Sequence, residues 1–288
     1  MKQDGSVGRK VKRGGSVVTR RSRTSAGTHE PLATARIVED IGIMTMNNPA
    51  SANCLSSELV QGILSAFRDF ELAKVRVAVL RAYPGAKVWS GGHDMRAIPL
   101  DGQDPLHWNV PLEKLLHRVR SFPAPVIAMI EGSVWGGACD LAMTCDVLVG
   151  TPSASFAITP ARIGLPYNAA GLTHFLGVLP IHIVKEMLFT AQPLSAEKAL
   201  NFGVLNRLVE REQLEEATME IAREIASRAP LVIRVLKAEM AKLTAGPGLS
   251  PDDFEEIQGL RRIAFRSDDL KEGVAAFFEK RTPRFQGK

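Results

Sequence analysis

Apolar residues in the first two thirds of this chain fall in short runs and helical stripes that alternate; the last third is helical in pattern throughout. Ala33 to Met46 reads as two short strands around Glu39-Asp40, a hairpin closed by Asn47-Asn48-Pro49. Ser56 then caps a helix whose stripe is Leu59, Ile63, Leu64, Phe67 and Phe70. Val75 to Leu80 is a buried strand, and Lys87 to Asp94 a glycine-bearing turn after a strand. Pro99 to Pro111 is loop-like, and a helix is expected from about Leu112 to Arg120. Further strands are expected at Asp146 to Val149, Ser155 to Ile158 and Val204 to Val209. Thr159 to Ala170 reads as a loop bracketed by Pro160 and Pro166. Helices are expected at 181–189, 195–202, 213–228, 230–243, 251–264 and 268–281, with Pro230 and Pro251 suited to the first helical position. Strands alternating with helices, followed by helices alone, imply an α/β fold of parallel turns with a helical C-terminal region.

The stretch from Pro125 to Gly150 organises the rest. Val126 to Ile130 is a continuous apolar run, as in a strand buried on both faces. Gly136-Gly137 then opens a short helix of small and apolar residues, roughly Ala138 to Thr144, that must itself be buried. The first N–H groups of a helix lack intrahelical partners and sit at the positive end of its dipole. Such an end suits a negative oxygen, although Gly-Gly also serves close strand–helix packing. A second turn, Ser90-Gly91-Gly92-His93-Asp94, has the same character. If the two turns are neighbours, each can offer one N–H to the same oxygen; spacing alone does not decide that.

Composition alters this picture in two places. The first 30 residues carry eight basic and two acidic side chains, a balance of +6 within a chain total of +5. The basic pI therefore belongs to a Gly-, Ser- and Arg-rich tail, residues 1–32, expected to be disordered. A nucleic-acid arm, a transit-like peptide and an upstream start without function compete for it, and the last is favoured. The tail lacks interleaved aromatics, which argues against a nucleic-acid partner. The three cysteines, Cys54, Cys139 and Cys145, lie in apolar contexts and read as reduced core thiols, hence a cytoplasmic location. None has metal-ligand spacing with a histidine, so no metal is expected. No apolar run approaches the roughly 18 residues of a membrane span.

Asn53-Cys54-Leu55, SGGHDM, IEGSVWGGACDLAMTCDVLV, FAITPARIGLP and the terminal FFEKRTPRF together resemble the crotonase (enoyl-CoA hydratase/isomerase) superfamily, from about Ile37 to Lys288. The resemblance implies a spiral of β-β-α turns over about 33–220, a helical trimerisation region over 221–288, an acyl-CoA substrate and assembly as a homotrimer or dimer of trimers. It places the two peptide N–H donors of an oxyanion hole on His93 and Gly137, with Gly91, Trp135 and Gly136 beside them. It maps the two glutamates of the hydratases onto Asp140 and Pro160; proline cannot ionise, so ordinary hydration is disfavoured. Gly-His-Asp, Ser-Val-Trp-Gly-Gly, Thr-Pro and Pro-Tyr-Asn resemble the methylmalonyl-CoA decarboxylase branch. That resemblance puts Thr159 and Tyr167 beside the acyl group, and implies loss of CO2 from a malonyl thioester with no cofactor beyond the substrate's CoA. CoA itself is expected near Asn53, Leu55, Asp94 and Met95, with Lys280 and Arg281 helping. Hydratase, isomerase and thioester hydrolase activities stay open as alternatives, as does an RNA-binding role for the tail. Tyr167, Thr159, His93 and Asp140 also have purely structural readings, and His107, His117, His174 and His182 are read as structural.

Overall fold

The computed structural model describes residues 30–98, 111–243 and 265–284, with isolated positions at 255, 259 and 262–263. The basic tail up to residue 29, the Pro99–Val110 part of the expected loop with its His107, and most of the helix expected over 251–264 lie outside the described residues.

The hairpin forms as the pattern predicts: β1 (Ala33–Val38) pairs antiparallel with β2 (Ile41–Met46), and Glu39 takes the positive φ of the turn. α1 (Ser57–Leu72) follows, its first turn capped by Ser56 Oγ, which accepts from the Leu59 N–H. The chain then repeats one unit. β3 (Val77–Ala82) joins a large sheet and β4 (Val88–Ser90) a small one, and α2 (Pro111–Ser121) packs across. β5 (Val126–Ile130) returns to the large sheet, β6 (Ser133–Trp135) to the small one, and α3 (Gly137–Thr144) follows. β7 (Val147–Gly150) and β8 (Ser155–Ala157) make the third pass. α4 (Ala169–Val178), α5 (Ile181–Thr190), β9 (Leu194–Ser195), α6 (Ala196–Asn201), β10 (Arg207–Leu208), α7 (Leu214–Ala226), α8 (Pro230–Leu243) and α9 (Asp268–Glu279) complete the described elements.

The large sheet runs β1-β2-β3-β5-β7-β10 and the small one β4-β6-β8-β9. From β2 to β10 the large sheet is parallel, and its central strands are buried on both faces. Alternate residues serve different cores. Met44, Met46, Ala78, Leu80, Val126 and Ala128 meet α1, α2 and α3, while Ile41, Ile43, Val77, Val79 and Ile127 meet Leu214, Met219 and Ala222 of α7. The division expected between residues 220 and 221 thus falls inside α7, a helix that covers the sheet.

Three expectations need correction. The glycine turn at 136–137 does not follow the long strand β5; a separate strand, β6, intervenes and lies in the other sheet. The stretch read as a loop to Ala170 ends earlier, because Asn168 accepts from the Gly171 N–H at 2.6 Å and starts α4. The strand expected over 204–209 shrinks to two paired residues.

Two contacts fix the helical end. Lys237 of α8, 8% exposed, donates to Val119 O (3.0 Å), Ala124 O (3.1 Å) and Asp146 Oδ2 (2.6 Å), tying α8 to the entry of β5. A β-carbon on Gly273 of α9 would stand 2.0 Å from Ile163 O, so only glycine lets α9 lie against the 3-10 turn Pro160–Ile163.

Candidate active site

β4 and β6 pair in parallel, Val88 with Ser133 and Ser90 with Val134, so the turns that follow them emerge side by side. The first turn is braced from the segment after the hairpin. Gly91 N–H donates to Ala52 O (2.8 Å), Leu55 N–H to Gly92 O (2.7 Å) and Ser90 Oγ to Asn53 O (2.7 Å). Gly92 has φ +80, and a β-carbon there would stand 2.3 Å from Trp135 O and 3.1 Å from Gly137 N. The two turns are therefore in van der Waals contact through a glycine. A β-carbon on Gly137 would in turn stand 3.8 Å from the His93 nitrogen. The neighbouring amides are occupied: Gly92 donates to Ser90 Oγ, Gly136 to Ala157 O and Cys139 to Gly136 O. Those of His93 and Gly137 find no acceptor among the described residues.

His93 and Gly137 both line a cavity of about 320 Å³. Of the residues singled out in the sequence, Gly91, His93, Met95, Trp135, Gly136, Gly137, Asp140, Thr159 and Tyr167 line it, together with Pro160. Leu112, Ile98 and Leu165 add apolar wall, and Phe277 reaches it from α9. Thr159 precedes the 3-10 turn without making a side-chain cap. The Tyr167 ring packs edge-on against Phe175, centroids 5.7 Å apart, and burial pushes its hydroxyl well above the usual phenol range, with Asp140 adding to the effect. Both ring nitrogens of His93 are buried without a hydrogen-bond partner among the described residues. Burial lowers its pKa against the opposing pull of Asp94, which favours the neutral ring.

Five residues expected to meet CoA lie outside this cavity. Asn53, fully buried, spends its side chain on Asn48 N–H (2.7 Å) and Trp89 O (3.1 Å), and Leu55 spends its N–H on Gly92; both are scaffold for the turn. Asp94 caps a 3-10 turn and pairs with Arg96 at 2.9 Å, which holds its carboxyl below the usual range. Arg281 is engaged by Glu272 and Glu279, and Lys280 terminates α9 in a left-handed conformation.

The pocket also contains what the sequence reading missed. Asp140, 2% exposed, accepts from His174 Nδ1, and His174 Nε2 faces Arg120 Nη1. Arginine can only donate, so the imidazole takes that bond at Nε2 and carries its proton on Nδ1, toward Asp140. His174 is thus a partner of the central helix, contrary to its reading as an isolated structural histidine. A second carboxylate, Glu113 in the first turn of α2, lines the same cavity and accepts from Asn168 Nδ2 at 3.0 Å. The sequence reading expected Asp140 alone. One signal was present: a carboxylate in a buried helix needs a partner. Glu113 and Arg120, seven apart, flank the buried stripe Leu112, Leu115, Leu116 and Val119. Cys139 and Cys145 are buried thiols pushed up by desolvation and offer no nucleophile. Among the described residues no three His, Cys, Asp or Glu side chains gather as a metal site would require.

The family described as Enoyl-CoA hydratase/isomerase matches residues 36–288. The chain belongs to the enoyl-CoA hydratase/isomerase family. It is 39% identical over 250 residues to methylmalonyl-CoA decarboxylase of Escherichia coli K12, covering 87% of this chain and 96% of that protein. It is 31% identical over 274 residues to the human mitochondrial enoyl-CoA hydratase domain-containing protein 3, covering 91% and 88%. Solved structures of methylmalonyl-CoA decarboxylase superpose closely. The complex with 2-nitronate-propionyl-CoA gives a TM-score of 0.87 at 38% identity over 89% of this chain and 99% of that one. The complex with 2S-carboxypropyl CoA gives 0.88 at 38% identity over 91% and 100%. The spiral of two-strand-and-helix passes is the crotonase fold of this family.

Proposed function

We propose that this protein decarboxylates methylmalonyl-CoA, or a close malonyl thioester, to the corresponding acyl-CoA. What supports the reading is that His93 and Gly137, whose main-chain nitrogens find no acceptor among the described residues, line one apolar-walled cavity, in a chain similar along most of its length to a methylmalonyl-CoA decarboxylase. Breaking the C–CO2⁻ bond leaves its electron pair on the α-carbon, and delocalisation puts the charge on the thioester oxygen. Two fixed donors in a dry site stabilise that oxygen more than the neutral carbonyl. CO2 departure itself needs no base, and the reaction needs no cofactor beyond the CoA of the substrate. Low polarity around Leu112, Ile98 and Trp135 favours the spread charge of the enolate over the compact carboxylate. In this reading Tyr167 donates to the departing carboxylate, Thr159 lies beside it, and His93 shapes the pocket. CoA approaches past Gly91, Met95 and Gly136.

Incubation with methylmalonyl-, ethylmalonyl- and crotonyl-CoA, followed by mass detection, tests this. Products lighter by CO2 are expected from the malonyl esters; hydration of crotonyl-CoA with the malonyl esters untouched overturns the reading. The presence of Asp140 and Glu113 in one cavity favours hydration as the second reading, because two carboxylates can hold a water between them. Tyr167→Phe keeps the ring against Phe175 and removes one hydrogen bond to a charged group, for a kcat loss of about 10-fold or more. Unchanged turnover in that variant removes the role given to the hydroxyl.

The assembly is part of the same proposal. Leu231, Val232, Val235 and Leu236 of α8 are all exposed in the single chain, an apolar face suited to a homotrimer or dimer of trimers. Light scattering that returns the 31.3 kDa monomer sinks it. The location proposed is the cytoplasm, because the three cysteines are unbridged; no helix among the described residues is long and apolar enough to cross a membrane. Purification with the membrane fraction or an oxidising compartment contradicts that placement.

A further inference from the structure

We infer that Glu113, held toward the cavity by Asn168, is the acid that delivers the proton to the α-carbon of the enolate after CO2 has left. This rests on the decarboxylation reading above and supplies its missing step. The new Cα–H bond takes the proton of the Glu113 carboxyl. The enolate electrons that form it restore the thioester C=O, and Glu113 is left as a carboxylate, to be reprotonated from solvent. Overall the malonyl thioester and one proton give CO2 and the acyl-CoA.

The cavity holds two carboxylates in different surroundings. Asp140 lines the cavity with one carboxyl oxygen committed to His174, itself backed by Arg120. The residue is 2% exposed, and a β-carbon on Gly171 of α4 would stand 2.9 Å from its Oδ2. Glu113 comes from another element, the first turn of α2, directly after Leu112. The Leu112 side chain packs on Gly137, so its Cδ2 would stand 2.7 Å from a β-carbon there. Glu113 is thereby placed one residue from a wall of the oxyanion hole, and its bonding partner is a neutral amide at 3.0 Å. An amide donor fixes one carboxyl oxygen and leaves the other to carry a proton. Burial is the largest influence on its pKa and raises it; the Asn168 hydrogen bond lowers it, Asp140 of α3 raises it, and His174 of α4 and Arg120 of α2 lower it, with the net direction upward. A carboxyl whose pKa is raised keeps its proton closer to neutrality, as a general acid must.

The reverse of the step is exchange of the α-hydrogens of propionyl-CoA with D2O. It needs no decarboxylation, so it can be read even if no malonyl ester is a substrate. Wild-type protein is expected to catalyse it. The rate should rise with pH through the raised pKa of Glu113, because only the ionised carboxylate can take the proton. In Glu113→Gln, where the Asn168 bond is preserved, exchange should fall on the order of 100-fold and lose its pH dependence. CO2 release from methylmalonyl-CoA should fall far less, since water can protonate a free enolate. Glu113→Asp, which restores a carboxyl, should recover part of the exchange and so separates proton transfer from misfolding. Exchange that survives in Glu113→Gln overturns the inference, as does equal loss of exchange and CO2 release. Loss confined to Asp140→Asn overturns it too, by assigning the proton to the other carboxylate. Absence of CO2 release from wild type, with exchange intact, instead overturns the substrate reading and leaves the acid in place.

Discussion

Gly92→Ala is expected to lower kcat for decarboxylation by at least 100-fold, about 3 kcal/mol of transition-state stabilisation, the typical loss of one oxyanion donor. The added methyl has no room. It would stand 2.3 Å from Trp135 O, well inside contact distance, and 3.1 Å from Gly137 N. The backbone at φ +80 is also a conformation that side chains other than glycine rarely adopt, at a cost of about 1–2 kcal/mol. Gly92 cannot withdraw, since Leu55 N–H holds its carbonyl and Ser90 Oγ its amide. The strain is therefore relieved at Trp135–Gly137, where it turns the Gly137 N–H away from the oxygen it should meet. KM should move less than kcat, because the donors act chiefly on the charge that develops at the transition state. Steady-state kinetics alongside a thermal melt check this. Near-normal kcat in a folded Gly92→Ala protein would show that the two turns do not act as one device.

Lys237→Met should destabilise the fold by about 3 kcal/mol, the lower end of the range for removing one partner of a buried pair. The lower end applies because the Asp146 side chain is 30% exposed and water can take up part of its lost interaction. Two main-chain carbonyls, Val119 and Ala124, lose their ammonium donor as well. Asp146 Oδ2 keeps the Val126 N–H at 2.7 Å, so the entry of β5 should remain in place while α8 loosens. Denaturant unfolding gives the measurement. Lys237→Met combined with Asp146→Asn should be less unstable than the sum of the two single variants, because the pair is coupled. A single-variant loss below about 1 kcal/mol would reduce the contact to an ordinary surface pair.

Much of the fold is written locally. The hairpin at Glu39-Asp40, the Ser56 cap, α2, the apolar strand Val126–Ile130 and α8 from Pro230 to Leu243 follow from period, caps and turn residues, each of which acts within a few positions along the chain. The errors arose where the deciding contact was distant. β6 has only three residues and is a strand because β4 and β8 flank it. α4 is the exception: the loop expected to Ala170 overran its first two residues although the deciding cap, Asn168 to Gly171, is local. Asn53 and Leu55 lie outside the cavity, where the Asn53 side chain and the Leu55 N–H brace the glycine turn.

By itself the sequence determined an α/β chain of parallel passes with a helical end and two glycine turns suited to an anionic oxygen. Those properties belong to single segments, and short-range sterics and hydrophobic period suffice to express them. Only the tertiary structure decided that the turns meet, because their neighbourhood depends on parallel pairing between β4 and β6, 40 and more residues apart along the chain. It alone joined Asp140 to His174 and Arg120 and brought Glu113 to the cavity. A buried carboxylate takes whichever donor the packing of separate helices supplies, and nothing in the local order of residues names that donor in advance.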